Sequence, residues 1–505
     1  MADLHLVVDR AAGGIADQIA RELREAVRHG RLTAGARLPA SRELARDLGL
    51  SRGVVVEAYE RLVAEGFLIS RVGAGTVVAP AATRSQDASE RDPVVPACRP
   101  YYGRRSTSPD LNAFPRGRWL AAIRQTLATL PSDALDYGDP GGARELREEL
   151  AAYLRRVRAA DVTPDNLVIV GGVAQGLYLT VQALAGRLPQ ALTERLSEAL
   201  AGGLPQDLEG RLSQGRAVHD LDWFVDRIAN PAPRPGRVRL AVEDPTSLRQ
   251  LPLLRAAGAD LVAVRVDEEG VDIGALAASG ARVVLLTPAH QYPTGVVLAP
   301  CRRAELIEWA TVTGATILED DYDAEFRFDR DPVGCLQGLA PDRVILVGSV
   351  SKSLAPGLRL GWVAAPAEVA ESIRQVRGEL DLGSPVIEQH ALADLIRTGD
   401  YDRQLRRMRR EYRARRDALV RALAEHLPEI TVRGVSAGLH LFAELPRNWD
   451  ELSTVETAQA CGLAVERVAP MRHAPGPPAL VMGFAQLPAH RADDVVRTLA
   501  ERLPR

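Results

Sequence analysis

The sequence predicts a multi-domain chain, with an N-terminal winged helix-turn-helix and a large C-terminal α/β domain built on a largely parallel sheet. Three observations predict it. Three short amphipathic segments and two β-prone runs fill roughly the first eighty residues. A stretch rich in proline and small residues follows. Beyond it, helical runs alternate with short apolar strands almost to the end of the chain.

Composition sets the bounds. At 505 residues the chain is too long for one simple core, and with 46% apolar and 26% charged residues it is ordinary globular material. A net charge of −3 excludes a polycation, so any contact with nucleic acid must come from a local arrangement of arginines. Cys98, Cys301, Cys335 and Cys461 are scattered without CxxC spacing and read as reduced thiols, not as a metal site or disulfide frame. The N-terminus has no apolar signal core, and no run of about 18 apolar residues could span a bilayer. A cytoplasmic protein without a membrane partner is expected.

In the head, Ile15, Ile19, Leu23 and Val27 recur at helical spacing, and that helix should end near Gly30. Ser41 is placed to cap a short second helix carrying Leu44, Ala45 and Leu48, stopped by Gly49. Ser51 is placed to cap a third, Arg52 to Glu65, with Val55, Ala58, Tyr59 and Leu62 inward. Phe67–Ser70 and Thr76–Ala79 then form a two-stranded wing. A helix-turn-helix puts the start of its second helix in the major groove. Arg52 is therefore the candidate base contact and Arg42 the candidate phosphate contact. Ser41 and Ser51 accompany them. Arg71, Gly75 and Thr76 are the candidate contacts of the wing. In a chain this rich in arginine, any one of these arginines taken alone reads better as a solvated charge.

The spelling Gly35-Ala36-Arg37-Leu38-Pro39-Ala40-Ser41-Arg42-Glu43-Leu44-Ala45, with Leu50-Ser51-Arg52, Ala58-Tyr59-Glu60-Arg61-Leu62 and Glu65-Gly66-Phe67, resembles the winged-helix DNA-binding domain of the GntR family of transcription regulators. The resemblance implies that double-stranded operator DNA is a partner. Gly53-Val54 stand where the family usually has Asn-Thr, which removes a hydroxyl contact to phosphate.

Residues 81–108 read as a flexible linker, between a head of residues 1–80 and a large domain of residues 109–505. In the large domain, strands are expected at Leu167–Val170, Val238–Val242, Leu261–Val266, Val283–Leu286, Thr316–Leu318 and Val344–Val347. Ligands of such sheets sit at the carboxyl ends of the strands. Four strand ends carry suggestive residues. Gly171-Gly172 opens a helix whose amides at Val173, Ala174 and Gln175 could bind phosphate. Thr287–Gly295 is a polar turn containing Tyr292, and its lone His290 reads as structural. Glu319-Asp320-Asp321-Tyr322-Asp323 places a carboxylate where it could hold a pyridine nitrogen protonated, with a tyrosine two residues on. A solvated turn and a divalent-metal site at Asp320, Asp321 and Asp323 are the other readings of that run, and no metal site is expected. The fourth strand end leads to Ser349, Ser351 and Lys352, with Arg359 seven residues beyond.

Lys352 is singular. Of 63 lysines and arginines it is the only lysine. Guanidinium replaces ammonium on most solvated surfaces but cannot act as an amine nucleophile, so a Schiff-base position must stay lysine.

Taken together, residues from about 110 to 490 resemble class I aminotransferases of pyridoxal-phosphate fold type I. The order of Tyr137-Gly138-Asp139-Pro140-Gly141-Gly142, the Gly-Gly turn, Glu243-Asp244-Pro245, Tyr292-Pro293-Thr294-Gly295, Asp320 with Tyr322, Ser-x-Ser-Lys352 and Arg359 carries the resemblance. It implies pyridoxal 5'-phosphate as cofactor, Lys352 as its internal aldimine lysine, Asp320 at the ring nitrogen and Tyr322 at the ring oxygen. Ser349, Ser351, Arg359 and the Val173–Gln175 amides would hold the phosphate, and Tyr292 belongs to the same cofactor site. A winged helix joined to such a domain is similar to the MocR-type subgroup of GntR regulators, which implies a homodimer.

Three departures bear on function. Ser247 stands where the family's ring-stacking tyrosine belongs. Val481 stands where an aminotransferase carries its substrate-carboxylate arginine, with Arg472 the nearest alternative. About fifty residues, roughly 186–234, are inserted and contain a doubled Leu-Pro-Gln unit, expected to be a helical hairpin or plain surface decoration. Lys352 and Asp320 kept with that anchor lost favour a regulator that senses pyridoxal phosphate or an amine or amino-acid effector. An active aminotransferase with an auxiliary DNA-binding head is the alternative. A body that has stopped binding cofactor and serves only for dimerisation is the third reading.

Overall fold

A computed structural model describes residues 6, 8–10, 12–71, 75–80, 105–186, 237–328 and 334–503. The wing tip, most of the expected linker and the insertion beyond Gly186 lie outside the described residues. The chain divides into two compact units, residues 1–100 and 101–505.

The first unit has helices Ile15–Arg28, Ser41–Asp47 and Arg52–Ala64, then strands β1 (Leu68–Arg71) and β2 (Gly75–Val78). The helical spacing works as expected. Ile19, Leu23, Val27, Leu44, Val55, Leu62, Leu68 and Val78 pack into one core, and burying each such side chain contributes roughly 1.5–3 kcal/mol. β1 and β2 pair antiparallel, Leu68 opposite Val78. Arg24 closes the first helix onto the third through two bonds to Glu65, at 2.9 and 2.7 Å. The expected serine caps differ. Ser41 is the first helical residue and Ala40 precedes it as cap, its amide donating to Glu43 at 3.2 Å. Ser51 sits at the cap position of the third helix but makes no side-chain cap bond. The Glu43 carboxylate takes over the first role, so neither serine hydroxyl is committed to a helix end.

The second unit is organised on an eight-stranded sheet. Its strands are β3 (Leu167–Val170), β4 (Val238–Asp244), β5 (Ala259–Asp267), β6 (Gly270–Val271), β7 (Val283–Leu286), β8 (Thr316–Asp321), β9 (Val344–Ser349) and β10 (Gly361–Ala364), in the order β3-β10-β9-β8-β7-β4-β5-β6. β9, β8, β7, β4 and β5 run parallel, while β10 is antiparallel to both its neighbours. Near-continuous apolar runs are what a sheet covered on both faces requires. β3 shows how. Leu167 and Ile169 join the core beneath helices Arg144–Arg158 and Val386–Arg397, while Val168 and Val170 join the core beneath helices 173–186 and Ala367–Leu380. A second sheet of four antiparallel strands follows, β11 (Thr431–Arg433), β12 (His440–Glu444), β13 (Ala464–Arg467) and β14 (Ala479–Gly483), in the order β11-β12-β14-β13. No described helix is long and apolar enough to cross a membrane.

Candidate functional site

The carboxyl ends of β3, β4, β7, β8 and β9 bring the expected residues to one region of the second unit. Lys352 lies three residues beyond β9, half-buried, and its amine donates to the Thr107 carbonyl at 2.8 Å and to Thr107 Oγ1 at 3.3 Å. Burial pushes that amine down to about 8, with Arg249 and Arg105 adding to the effect and Asp323 and Asp320 opposing it. An amine lowered this far has an appreciable neutral, nucleophilic fraction near physiological pH, which an unperturbed lysine lacks.

The acidic run of β8 is split by strand alternation. Asp320 is buried and accepts from Gln250 Nε2 at 3.0 Å, and its Oδ1 has no hydrogen-bond partner. Burial pushes its carboxyl up to about 7. Asp321 points the other way and takes both bonds of Arg158, each 2.8 Å, inside the core. Asp323 faces His290, Nδ1 to Oδ2 2.9 Å. The three carboxylates thus have three separate sets of partners and form no common cation cage.

Asp320 gives a pH expectation. A carboxyl raised from 3.8 toward 7 binds its proton more tightly folded than unfolded. Stability from that proton is present below the unfolded value and is lost as pH rises through about 7. Thermal midpoints of ligand-free protein should therefore decline between pH 5 and pH 8, and Asp320→Asn should flatten that decline. An identical slope in the variant would refute the assignment.

At the end of β3, helix 173–186 makes its first backbone bond from Gly176 to Gly172, at 3.1 Å. The amides of Val173, Ala174 and Gln175 precede it and have no intrahelical acceptor, the arrangement that suits an anion. The Gln175 side chain is committed elsewhere, accepting from the Gly171 amide and donating to Asp381, both at 2.5 Å. Arg359 stands over this turn. A Cβ at Gly172, whose φ is +96°, would lie 3.2 Å from its guanidinium, so glycine is needed for the approach. Ser349 is buried at the end of β9, and its hydroxyl lies 3.4 Å from the Ser351 amide.

Tyr322 and Tyr292 meet edge to face, with centroids 6.2 Å apart, and the Tyr322 hydroxyl lies 3.1 Å from His290 Nδ1. Tyr292 also packs at 5.2 Å against His440. Val481 is buried on β14 in a small apolar cluster with Phe442, Val468 and Met471, against Tyr292. Arg472, the candidate substitute for the missing anchor, instead donates to the Pro477 carbonyl on its own turn. Ser247, beyond the end of β4, itself carries no aromatic ring.

Several residues here were not singled out in the sequence. Thr107 falls within the stretch read as linker, yet Ser106 beside it is fully buried, donating to Glu466 from both its amide and its hydroxyl at 2.9 and 2.7 Å. Nothing local signals this, because the contact spans 360 residues. Gln250 and Arg249 follow the Glu243-Asp244-Pro245 turn, and that proximity was the available signal. Asp323, His290 and His440 form the wall behind Tyr322.

In the first unit, Arg42 and Arg52 are exposed at the starts of the second and third helices, with Ser41 and Ser51 beside them. Arg71 ends β1. Gly75 opens β2 at φ +88°, and a Cβ there would press on the Arg37 guanidinium at 3.1 Å, which adds Arg37 to this face. The Thr76 carbonyl accepts from the Leu38 amide.

Comparison with known proteins agrees with both units. The family described as bacterial regulatory proteins, gntR family, matches residues 15–78, and aminotransferase class I and II matches residues 235–497. The HTH-type pyridoxine biosynthesis transcriptional regulator PdxR of Corynebacterium glutamicum is 31% identical over 447 residues, covering 87% of this chain and 85% of that protein. The probable rhizopine catabolism regulatory protein MocR of Rhizobium meliloti is 28% identical, covering 95% of this chain and 92% of its own. Among solved structures, an archaeal alanine:glyoxylate aminotransferase superposes with a TM-score of 0.63 at 23% identity, over 79% of this chain and 89% of that one. LysN, an α-aminoadipate aminotransferase from Thermus thermophilus solved with N-(5'-phosphopyridoxyl)-L-leucine, gives 0.62 at 23% identity, over 79% and 91%. At that identity the two structures establish the fold.

Proposed function

We propose, from the premise that this chain belongs to the gntR-family transcriptional regulators whose second domain is a class I and II aminotransferase, that it binds operator DNA through its head and senses pyridoxal phosphate, or an amine or amino acid acting on it, through its body. The observation that carries this is the pairing of Lys352, the single lysine, with the unpartnered Oδ1 of buried Asp320. A buried carboxylate oxygen without a donor is costly, and a protonated ring nitrogen is a donor of the right kind. The residues present therefore fit the cofactor.

When bound, pyridoxal phosphate supplies an aldehyde for amines and a ring that withdraws electrons. The chain's own residues do the rest. The amides of Val173, Ala174 and Gln175, the Ser349 and Ser351 hydroxyls and Arg359 hold the phosphate. Asp320 holds a proton at the ring nitrogen. Tyr322 and Tyr292 border the ring, and Lys352 contributes its lowered amine. Arg249 and Arg105 supply positive charge beside that amine, which suits an effector bearing a carboxylate. With Val481 in an apolar cluster, the body lacks the family's fixed carboxylate anchor at that strand. Orienting a substrate for turnover needs such an anchor, whereas sensing needs only a difference in affinity between two states. We further infer a cytoplasmic homodimer that presents two heads to paired half-sites.

The test is binding to the promoter region beside the protein's own gene, with and without pyridoxal phosphate and a panel of amines. A ligand-dependent change in affinity is expected, and steady transamination across the panel would overturn a purely sensing body. Arg52→Ala should weaken binding by at least about tenfold, in line with the ~1–3 kcal/mol of a good base contact. Unchanged affinity and salt slope in that variant would remove Arg52 from the interface.

A further inference from the structure

The glycine turn after β3 is tied down by side chains that the proposed function leaves unused. β3 is an edge strand of the eight-stranded sheet, so its outer backbone groups need partners from outside the sheet. The Ile169 carbonyl accepts from the Arg377 guanidinium, which reaches it from helix Ala367–Leu380 and is only 1% exposed. The same guanidinium holds Asp381, with Nε to Oδ1 at 3.0 Å and a terminal nitrogen to Oδ2 at 3.2 Å. The Gly383 amide also donates to Asp381 Oδ1, at 3.1 Å. Asp381 Oδ2 accepts from Gln175 Nε2, and Gln175 Oε1 accepts from the Gly171 amide, both at 2.5 Å. The hydrogen bonds therefore close a ring that leaves the backbone at Ile169 and returns to it at Gly171.

Hydrogen-bond polarity decides which way the Gln175 amide points. A carboxylate only accepts and a backbone N–H only donates, so the Gln175 nitrogen must face Asp381 and its oxygen must face Gly171. Asp381 is held in its charged form. Burial acts to raise its carboxyl, and the bonds from Arg377, Gly383 and Gln175 outweigh that and hold it below its usual range. Gln175 is the third residue of helix 173–186, the position from which a glutamine side chain ordinarily reaches back to the capping residue. Here it reaches one residue further, across Gly172. That span matters because two consecutive glycines are otherwise free to adopt many conformations. With the turn pinned, the amides of Val173, Ala174 and Gln175 keep one direction before any anion arrives.

We propose that the Arg377–Asp381–Gln175 relay sets the phosphate cradle in advance, and so makes the body select pyridoxal phosphate over pyridoxal, the same ring and aldehyde without the phosphate. The inference rests on the cofactor reading above, in which the amides after Gly172 hold the phosphate. Amides already aimed at an anion stabilise it in full, whereas a loose glycine turn must be ordered at the moment of binding. The gain falls on the phosphate, since Lys352, Asp320 and Tyr322 are carried by other strand ends. Arg377 and Asp381, with the side chain of Gln175, are thus positioning groups, acting through the turn.

The experiment titrates the full-length protein with pyridoxal phosphate and, separately, with pyridoxal, following the visible band. Asp381→Ser removes the acceptor of Gln175 without altering the cradle's amides. It should weaken pyridoxal phosphate about tenfold, on the order of one hydrogen bond's net worth, and leave pyridoxal affinity where it was. Gln175→Met, which removes both bonds of that side chain, should lower the preference for the phosphorylated form by a similar factor. The two together should lose no more than the larger single loss, because both break one relay. If the serine variant fails to fold, Gln175→Met carries the test alone. Equal losses of both ligands would mean a site disordered throughout, and would overturn the proposal. So would additive losses in the double variant, which separate Asp381 from Gln175. Wild-type protein that binds neither ligand, or binds both equally, would remove the phosphate site and this inference together, whereas variants that keep the wild-type preference remove this inference alone.

Discussion

Lys352→Ala protein should stay colourless after incubation with pyridoxal phosphate, where the wild type gains a visible band, and its DNA binding should no longer respond to ligand. The loss should be complete. No second lysine exists in the chain to substitute, and none of the surrounding arginines can act as a neutral amine. The lowered amine also makes a pH statement. Attachment by the wild type should gain rate as pH rises through about 8, the region in which burial leaves this amine half-neutral. Borohydride reduction followed by peptide mapping locates the attachment. A label distributed over the α-amine, with the visible band kept in the variant, would exclude Lys352 as the site.

Arg158→Met should cost about 3–5 kcal/mol of stability, the usual penalty for leaving one member of a buried ion pair alone. Both Asp321 oxygens are held by Arg158, with side chains 2% and 5% exposed. The effect should spread along β8. Burial, and next the Asp321 charge, push Glu319 up to about 7, while Arg158 opposes them, so removing Arg158 drives that carboxyl higher still. The second variant Arg158→Met/Asp321→Leu should recover most of the loss, because replacing both partners by apolar groups is often nearly neutral. Denaturant midpoints measure both. A single variant within 1 kcal/mol of wild type, on the order of the worth of a surface pair, would contradict the burial argument.

Most of the fold was legible because period and punctuation carry it. Ile19, Leu23 and Val27 mark a helix by spacing, and the six expected strands of the body are apolar runs between turn signals. β10 was missed. Gly361-Trp362-Val363-Ala364 opens on a glycine close behind Arg359 and does not stand out, and its antiparallel insertion comes from pairing with β9 and β3, not from local pattern. The site was legible where strand ends carry their residues in sequence, as at Asp320, Tyr322, Lys352 and Arg359. Thr107 was not, since its role arises only when a segment 245 residues away folds back onto the lysine. His290 looked structural in isolation. Its place beside Asp323 and Tyr322 depends on neighbouring strands, β7 and β8, and no single stretch contains that information.

The antiparallel pairing of β9 with β10 sets Ser349 opposite Gly361. Residues 350–360 are therefore the loop of a hairpin inside a mostly parallel sheet, and both Lys352 and Arg359 ride on it. A hairpin closes over a short length of chain, so it forms fast and needs no distant partner. The amine and the guanidinium are carried into place as a single local unit. The carboxylate of β8 and the amide cradle after β3 come from outside the hairpin and depend on the pairing of β8 with β9 and of β3 with β10. The hairpin alone thus carries two of the chemical groups, and the other two come from its neighbours in the sheet.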